Sequence, residues 1–272
     1  MARRERVLGV IVPAFNEERS LEQIVRRVLH EPAVQQVVVV DDGSTDGTLA
    51  AARRCTTDPR VIVRHHETNR GKGAAIRTGL EAITAPLVVI QDADLEYDPA
   101  DYEKLIAPIL RGRADVVFGT RGFAGHSAYS YWFVVGNRLV TTATNILFNC
   151  YIQDMETGFK VMRTSLMRRL GLRGDRFDVE PEITARILRL GYRIYELPIE
   201  YSARNREQGK KLTWRDGVKA LFVLLRIRLM TAQGLFGRPD PYHRERQNAL
   251  NATLMGASPI AGPGDQGAGD RK

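Results

Sequence analysis

The chain has 272 residues, 43% of them hydrophobic, and its 40 Lys and Arg outnumber its 32 Asp and Glu for a net charge of +8. That is enough chain and enough apolar surface for a full core in one α/β domain with an appendage. No stretch has the length and apolarity of a transmembrane helix, the Arg-rich start runs straight into the first strand with no signal-peptide pattern, and Cys55 and Cys150 lack metal or redox spacing.

Residues 7–12 (Val-Leu-Gly-Val-Ile-Val) are a first apolar run, ending in Pro13-Ala14-Phe15-Asn16-Glu17. A helical pattern at roughly 18–30 leads to four valines at 37–40, which end in Asp41-Asp42-Gly43-Ser44-Thr45-Asp46-Gly47. A helix over 46–55, a strand at 61–65 and a helix at about 73–84 follow. Residues 88–94, Val-Val-Ile-Gln-Asp-Ala-Asp, are a run of β-formers that closes in two carboxylates, with a helix at 100–111 and a strand at 115–119 beyond it. Strands alternating with helices predict βαβ units and a doubly wound, mostly parallel α/β sheet. Unbroken apolar runs fit strands covered on both faces.

Three of these strands deliver acidic or amide groups to one edge, the edge where open α/β sheets bind ligands. In an extended segment side chains two apart point the same way, so Asp92 and Asp94 can converge on one cation. Hard oxygen ligands suit Mg²⁺ or Mn²⁺, which commonly bridge to a substrate diphosphate. Asp41 or Asp42 fits the ribose or base of a nucleotide. Asn16 is alternatively a helix cap, and Ser44, Thr45 and Asp46 a turn with an N-cap. Asn69-Arg70-Gly71-Lys72-Gly73 is a Gly-rich basic loop opening a helix, suited to an anion. It lacks the Walker ending, and no Gly-x-Gly-x-x-Gly follows the first strand, which argues against a dinucleotide-dependent dehydrogenase.

The later part of the chain is basic and amphipathic. From 204 to 228 there are eight basic residues against Glu207 and Asp216. No stacking-aromatic or helix-turn-helix module accompanies them, so an anionic membrane surface or a lipid phosphate is expected there and nucleic acid is not. A helix at 213–233 places Trp214, Val218, Leu221, Phe222, Leu225 and Leu229 on one face, with Arg215, Lys219 and Arg226 beside it and Val223 and Ile227 beyond. One such face can dock on protein and the other on lipid. A second amphipathic segment, Tyr129 to Cys150, sets Trp132, Val135, Leu139, Ala143 and Ile146 against Asn137, Arg138, Thr141, Asn145 and Asn149. Residues 256–272, rich in Gly, Ala and Pro, read as disordered.

Taken in order, Pro13-Ala-Phe-Asn-Glu17, Asp41-Asp-Gly-Ser-Thr-Asp46, Asn69-x-Gly-x-Gly73, Asp92-Ala-Asp94 and Gly119-Thr-Arg121 resemble the family 2 glycosyltransferases of the GT-A fold. Asp92-Ala-Asp-Leu-Glu-Tyr-Asp-Pro99, Asp154-x-x-Thr-Gly-Phe-Lys160, Phe177-x-x-Glu-Pro-Glu182 and Arg204 with Gly209-Lys-Lys211 are similar to the dolichyl- and polyprenyl-phosphate mannosyl- and glucosyltransferases. The likeness covers about residues 7–230. It implies a GT-A catalytic domain over 1–236, with a donor half at about 7–121, an acceptor and membrane-facing half at about 122–236, and a flexible tail at 237–272.

The resemblance implies an inverting, metal-dependent hexosyltransferase, with mannose favoured and glucose next. Its donor would be a nucleotide diphosphate sugar, GDP-mannose or UDP-glucose, and its acceptor a polyprenyl phosphate. Pro13, Asn16, Glu17, Asp41, Asp42, Gly71, Lys72 and Asp92 are then donor contacts, Asp92, Asp94 and Glu96 the Mg²⁺ or Mn²⁺ ligands, and Arg121, Arg138, Arg204, Lys210 and Lys211 the acceptor-phosphate contacts. Asp92, Asp94, Arg121 and Asp154 make up the catalytic set, with Asp154 orienting sugar or acceptor. The expected location is cytoplasmic, peripheral on the cytosolic membrane face, with a tethering partner protein as an option. A family 2 enzyme with a soluble or protein acceptor, a sugar nucleotidyltransferase and a silent binding module are the rival expectations.

Overall fold

The apolar runs of the first half all become strands: β1 (Leu8–Ala14), β2 (Val34–Asp41), β3 (Val61–His65) and β4 (Leu87–Ile90). They lie parallel in the order β3-β2-β1-β4 in the computed structural model, which describes residues 6–121, 131–176, 178–202 and 214–231. Between them run α1 (Leu21–His30), α2 (Thr48–Arg54) and α3 (Lys72–Ala82). Alternation along a strand sends neighbours to opposite faces. Val10, Val12, Val37 and Val39 join Leu21, Ile24 and Val25 of α1 on one side of the sheet. Ile11, Val38 and Val40 join Ala75, Ile76 and Leu80 of α3 on the other. Both faces are covered, which is why these strands read as unbroken apolar runs. The α3 helix comes close enough to β1 that a Cβ on Gly79 would lie 2.5 Å from Ile11 Cγ2.

The second half adds α4 (Tyr102–Leu110), β5 (Val116–Arg121), α5 (Tyr131–Phe148), β6 (Lys160–Arg163), α6 (Thr164–Arg169), α7 (Val179–Arg189), β7 (Ile194–Ile199) and α8 (Trp214–Leu229). The sheet continues β4-β6-β5-β7, with β6 antiparallel to both neighbours and β7 parallel to β5. The fold is thus α/β with a mostly parallel, mixed seven-stranded sheet. Inserting β6 between β4 and β5 carries the Asp154–Lys160 segment to the C-terminal end of β4.

Helices α5, α7 and α8 share a third core made by Val140, Ile152, Met155, Ala185, Ala220, Leu224 and Ile227. Ala220, Leu224 and Ile227 are the side of α8 that docks on protein. The face with Val218, Leu221, Phe222, Leu225 and Leu229 is exposed, Phe222 by 67%. The α5 helix is more unusual. Its polar side chains Asn137, Thr141 and Thr144 are buried, whereas Leu139 and Ile146 face outward, Ile146 by 76%. An amphipathic helix on a globular core normally does the reverse. Among the described residues no helix is long and apolar enough to cross a membrane.

Candidate functional site

The loops after β1 and β2 interlock. Asn16, in the left-handed region at φ 57°, accepts the Thr45 N–H at Oδ1 (2.9 Å) and donates its own N–H to Ser44 Oγ (3.0 Å). It therefore braces the neighbouring loop and does not cap α1. The Glu17 N–H donates to Thr48 Oγ1 (2.8 Å), and its carboxylate accepts from Ser20 Oγ (2.6 Å). Asp46 accepts from Thr48 N–H and, with Glu18, ties the start of α2 to the first loop. Pro13 stands in β1 beyond the end of β4, where no ladder donor is needed on that side.

The two acids ending β2 have different jobs. Asp42 is saturated: Oδ1 meets His66 Nδ1 (2.7 Å) and the Arg70 N–H (3.0 Å), and Oδ2 takes the Gly71 N–H (2.7 Å). It holds the Gly-rich loop in place. Asp41 is fully buried; its Oδ2 meets His65 Nδ1 (2.7 Å), while Oδ1 has no hydrogen-bond partner among the described residues.

The Gly-rich loop departs from the expectation of a backbone anion cradle. Its Arg70 and Gly71 amides go to Asp42, and the Gly73 and Ala74 amides point to the Asp175 carbonyl (2.8 and 3.3 Å). Gly71 has φ 97°, and a Cβ there would sit 2.2 Å from the Asp175 oxygen. The covering loop is itself held by Glu182, which accepts the Arg173 and Gly174 N–H groups and pairs with Arg186 (2.7 Å). What the loop offers the site is the Lys72 side chain.

Lys72 Nζ lies 2.7 Å from Asp92 Oδ1 and 3.0 Å from Glu180 Oε1, and Glu180 Oε2 pairs with Lys160 at the start of β6. Burial opposes the Lys72 charge, yet Asp92 and Glu180 outweigh it and hold its pKa above the ordinary lysine value. Two cations and two carboxylates from α3, the β4 end, β6 and α7 thus form one buried ladder. A buried ladder of this kind is stable only while each member keeps its partner.

The period-two argument for Asp92 and Asp94 does not carry over, because β4 ends at Ile90 and both follow it in a turn, as does Glu96, with Leu95 at φ 64°. Asp94 Oδ1 accepts the Glu96 N–H (3.2 Å), and Glu96 Oε2 accepts from Tyr201 Oη (2.5 Å). Among the described residues no group of three or more His, Cys, Asp or Glu is arranged to hold an ion. The donor chemistry fits a hard divalent cation on two carboxylates with the substrate's phosphates completing its shell. It does not supply a preformed three-carboxylate cluster.

On the far side, Arg121 and Asp154 bind each other. Arg121 Nε and Nη2 each lie 2.7 Å from an Asp154 oxygen, and Asn137 Nδ2 adds a bond at 3.1 Å. Burial works against the Asp154 charge, but Arg121 and Asn137 hold its carboxyl below the usual range. As a buried pair, Arg121 carries much less net positive charge toward a phosphate than an unpaired arginine would. Arg138 is exposed on α5, beside Asn137. Arg204, Lys210 and Lys211, with Phe177 and the tail, lie outside the described residues.

Two residues with no assigned part emerge. Glu180, on α7, joins Lys72 at the start of α3 to Lys160 at the start of β6. Glu156 stands in the Asp154–Lys160 loop, where burial pushes its carboxyl up to about 7, Lys160 and Arg121 opposing the rise and Glu180 and Asp154 adding to it. The Glu-Pro-Glu and Thr-Gly-Phe-Lys motifs flagged the right segments, but the pairings span the chain.

The profile described as Glycosyl transferase family 2 matches residues 9–171. A polyprenol monophosphomannose synthase of Mycolicibacterium smegmatis is 30% identical over 207 residues, 72% of this chain and 77% of that protein. A dodecaprenyl-phosphate galacturonate synthase of Rhizobium johnstonii is 27% identical over 242 residues, 84% of this chain and 70% of that protein. Glucosyl-3-phosphoglycerate synthase of Mycobacterium tuberculosis, crystallised with uridine diphosphate, superposes with a TM-score of 0.65 at 23% identity, covering 87% of this chain and 82% of that one. Other crystals of that synthase hold Mn²⁺ or Mg²⁺ with uridine diphosphate. At that identity the likeness speaks for the fold.

Proposed function

This chain belongs to glycosyl transferase family 2, and we propose that it moves one hexose, with inversion, from a nucleotide diphosphate sugar to a polyprenyl phosphate at a membrane surface. The observation that carries the lipid acceptor is the pair of outward-facing apolar side chains on α5, Leu139 and Ile146, beside the apolar outer face of α8. Leu139, Ile146, Val218, Phe222 and Leu229 are exposed together with Arg138, Lys219 and Arg226. Apolar side chains flanked by cations are what an anionic bilayer interface accepts. The prenyl-phosphate acceptors named in two relatives agree with this.

On the donor side, Asp41 reaches the base or ribose through its unpartnered oxygen, and Lys72 faces the diphosphate. Asp42 is left out of that contact because its oxygens already hold the loop. When bound, a divalent cation at Asp92 and Asp94 supplies positive charge to the departing nucleoside diphosphate. The acceptor phosphate is anionic at neutral pH and needs no strong base to attack the anomeric carbon. Arg204, Lys210 and Lys211 offset the repulsion between the two anionic groups, with Arg138 at the outer side. The Arg121–Asp154 pair fixes the floor between them.

Asp41→Asn should weaken nucleotide-sugar binding by about 1–3 kcal/mol, since a buried acceptor is changed. Asp42→Asn should instead lower the melting temperature by loosening the Gly-rich loop. Titration calorimetry and thermal melts on both variants check this; unchanged donor affinity in Asp41→Asn removes the assignment.

The surface is tested with Ile146→Glu and Phe222→Glu in co-sedimentation with phosphatidylcholine vesicles with and without phosphatidylglycerol. Each should cut vesicle binding about tenfold or more, in line with ~1.5–3 kcal/mol for a fully buried large apolar side chain. Binding should also weaken as salt rises. The reaction itself is tested by incubation with labelled GDP-mannose or UDP-glucose and polyprenyl phosphate. A butanol-extractable, mild-acid-labile product supports the reading; label transferred only to water-soluble acceptors replaces it with a soluble-acceptor enzyme.

A further inference from the structure

The loop from Asp154 to β6 passes the donor end of the site: a Cβ on Gly158 would lie 2.9 Å from Asp92 Oδ2. Two residues earlier, Glu156 stands between two ion pairs, Arg121–Asp154 and Lys160–Glu180. Those four charges, from β5, the loop itself, β6 and α7, are the ones that act on its carboxyl. None of them forms an ion pair or hydrogen bond with it, and it is partly exposed.

Burial penalises the charge on the Glu156 carboxyl, and a ligand that brings hydrogen-bond donors would offset that penalty. The neighbouring cations are already engaged, Arg121 by Asp154 and Lys160 by Glu180 and the Thr157 carbonyl. A phosphate placed there would bring a second negative charge against Glu156, Asp154 and Glu180. A pair of neutral hydroxyls would bring two O–H donors and no charge, and vicinal hydroxyls are what a hexose presents. The position agrees: the same loop touches Asp92 at Gly158, and Arg121 and Asp154 are near enough to act on the Glu156 carboxyl.

We infer that Glu156 accepts hydrogen bonds from ring hydroxyls of the transferred hexose and so helps determine which sugar is taken. This rests on the donor assignment above. Glu156 is then a ligand contact that acts before the chemical step, and no covalent change involves it. Hydroxyl donors favour the ionised carboxylate. Because its carboxyl in the free protein titrates near 7, sugar binding is complete above that pH and weakens as pH falls below it.

The experiment is titration calorimetry of UDP, GDP, UDP-glucose and GDP-mannose against the wild-type protein, Glu156→Gln and Glu156→Ala. At pH 8 both variants should bind the nucleotide sugar preferred by the wild type about tenfold more weakly, the loss expected for one charged hydrogen bond. They should bind the matching nucleoside diphosphate within about twofold of wild type by the same measure, which also shows that they fold. Between pH 8 and 6 the wild type should lose affinity for the nucleotide sugar, and Glu156→Gln should lose this dependence. Equal weakening of both ligands would make Glu156 a structural residue and overturn the inference, as would no change in either. Those results would leave the donor assignment intact. Failure of every nucleotide to bind the wild type would overturn the donor assignment and the inference with it.

Discussion

Asp94→Ala should lower kcat/KM for hexose transfer about a thousandfold or more, equivalent to ~4 kcal/mol of transition-state stabilisation. The turn after β4 brings Asp92 and Asp94 to the sheet edge, where Asp92 is the carboxylate that joins Lys72 and, through it, Glu180. Removing Asp94 therefore leaves the buried ladder whole and takes away one of the two carboxylates proposed to hold a divalent cation against the diphosphate. The fold should survive, because Asp94 is only partly buried and its bond to the Glu96 amide is local. The measurements are steady-state transfer, Mn²⁺-dependent donor binding and a thermal melt. Wild-type activity in Asp94→Ala, or in the unmutated protein under excess EDTA, would refute the metal proposal.

The second large effect is on stability. Glu180→Ala should lower the unfolding free energy by about 3–5 kcal/mol, the range for breaking a buried ion pair from one side. Both Lys72 and Lys160 lose the carboxylate they share. For a chain of this size each kcal/mol moves the midpoint by roughly 2–4 °C, so the melting temperature should drop by about 10 °C. The pH dependence has a definite sign. Burial raises the Glu180 pKa, but Lys160 and Lys72 together bring it below the ordinary glutamate value. Its stabilisation is then full above that value and is lost as pH falls through the depressed folded-state pKa. Wild type and Glu180→Ala should differ most at neutral pH and converge in acid. Denaturant unfolding at pH 7 and pH 3 checks both statements; an unchanged midpoint at pH 7 would mean that the ladder is not a structural tie.

The ladder also explains why the motifs are spread along the chain. Lys72 and Asp92 come from α3 and the end of β4, Lys160 and Glu180 from β6 and α7 much later in the chain. Charges that far apart in sequence show no local periodicity, and only the antiparallel insertion of β6 makes them neighbours. The same insertion brings the loop of Glu156 up to Asp92 at Gly158; in the sequence Glu156 is an unremarked position inside Asp154-x-x-Thr-Gly-Phe-Lys160.

How much was legible depended on the range of the interaction. The buried runs at 7–12, 37–40 and 88–90 predict strands because a strand covered on both faces must be apolar at every position, while the edge strand at 61–65 ends in the exposed Arg64 and His65; the helices follow from the 3.6 period. The acidic ends of the second and fourth runs locate the ligand edge, since the carboxyl ends of parallel strands all open on one side. The α/β class, the family resemblance and the candidate edge were therefore determined by the sequence itself. Which oxygen of which acid is unpartnered was not. Asp41 and Asp42 are adjacent and chemically identical, and only the packing of His65, His66 and the Gly-rich loop distinguishes them. The orientation of α5 was also a tertiary decision. Its two stripes are visible in the sequence, but that Asn137 and Thr141 face inward while Arg138 stays exposed follows from the fold: the buried Asp154 takes a bond from Asn137, a demand no local pattern records.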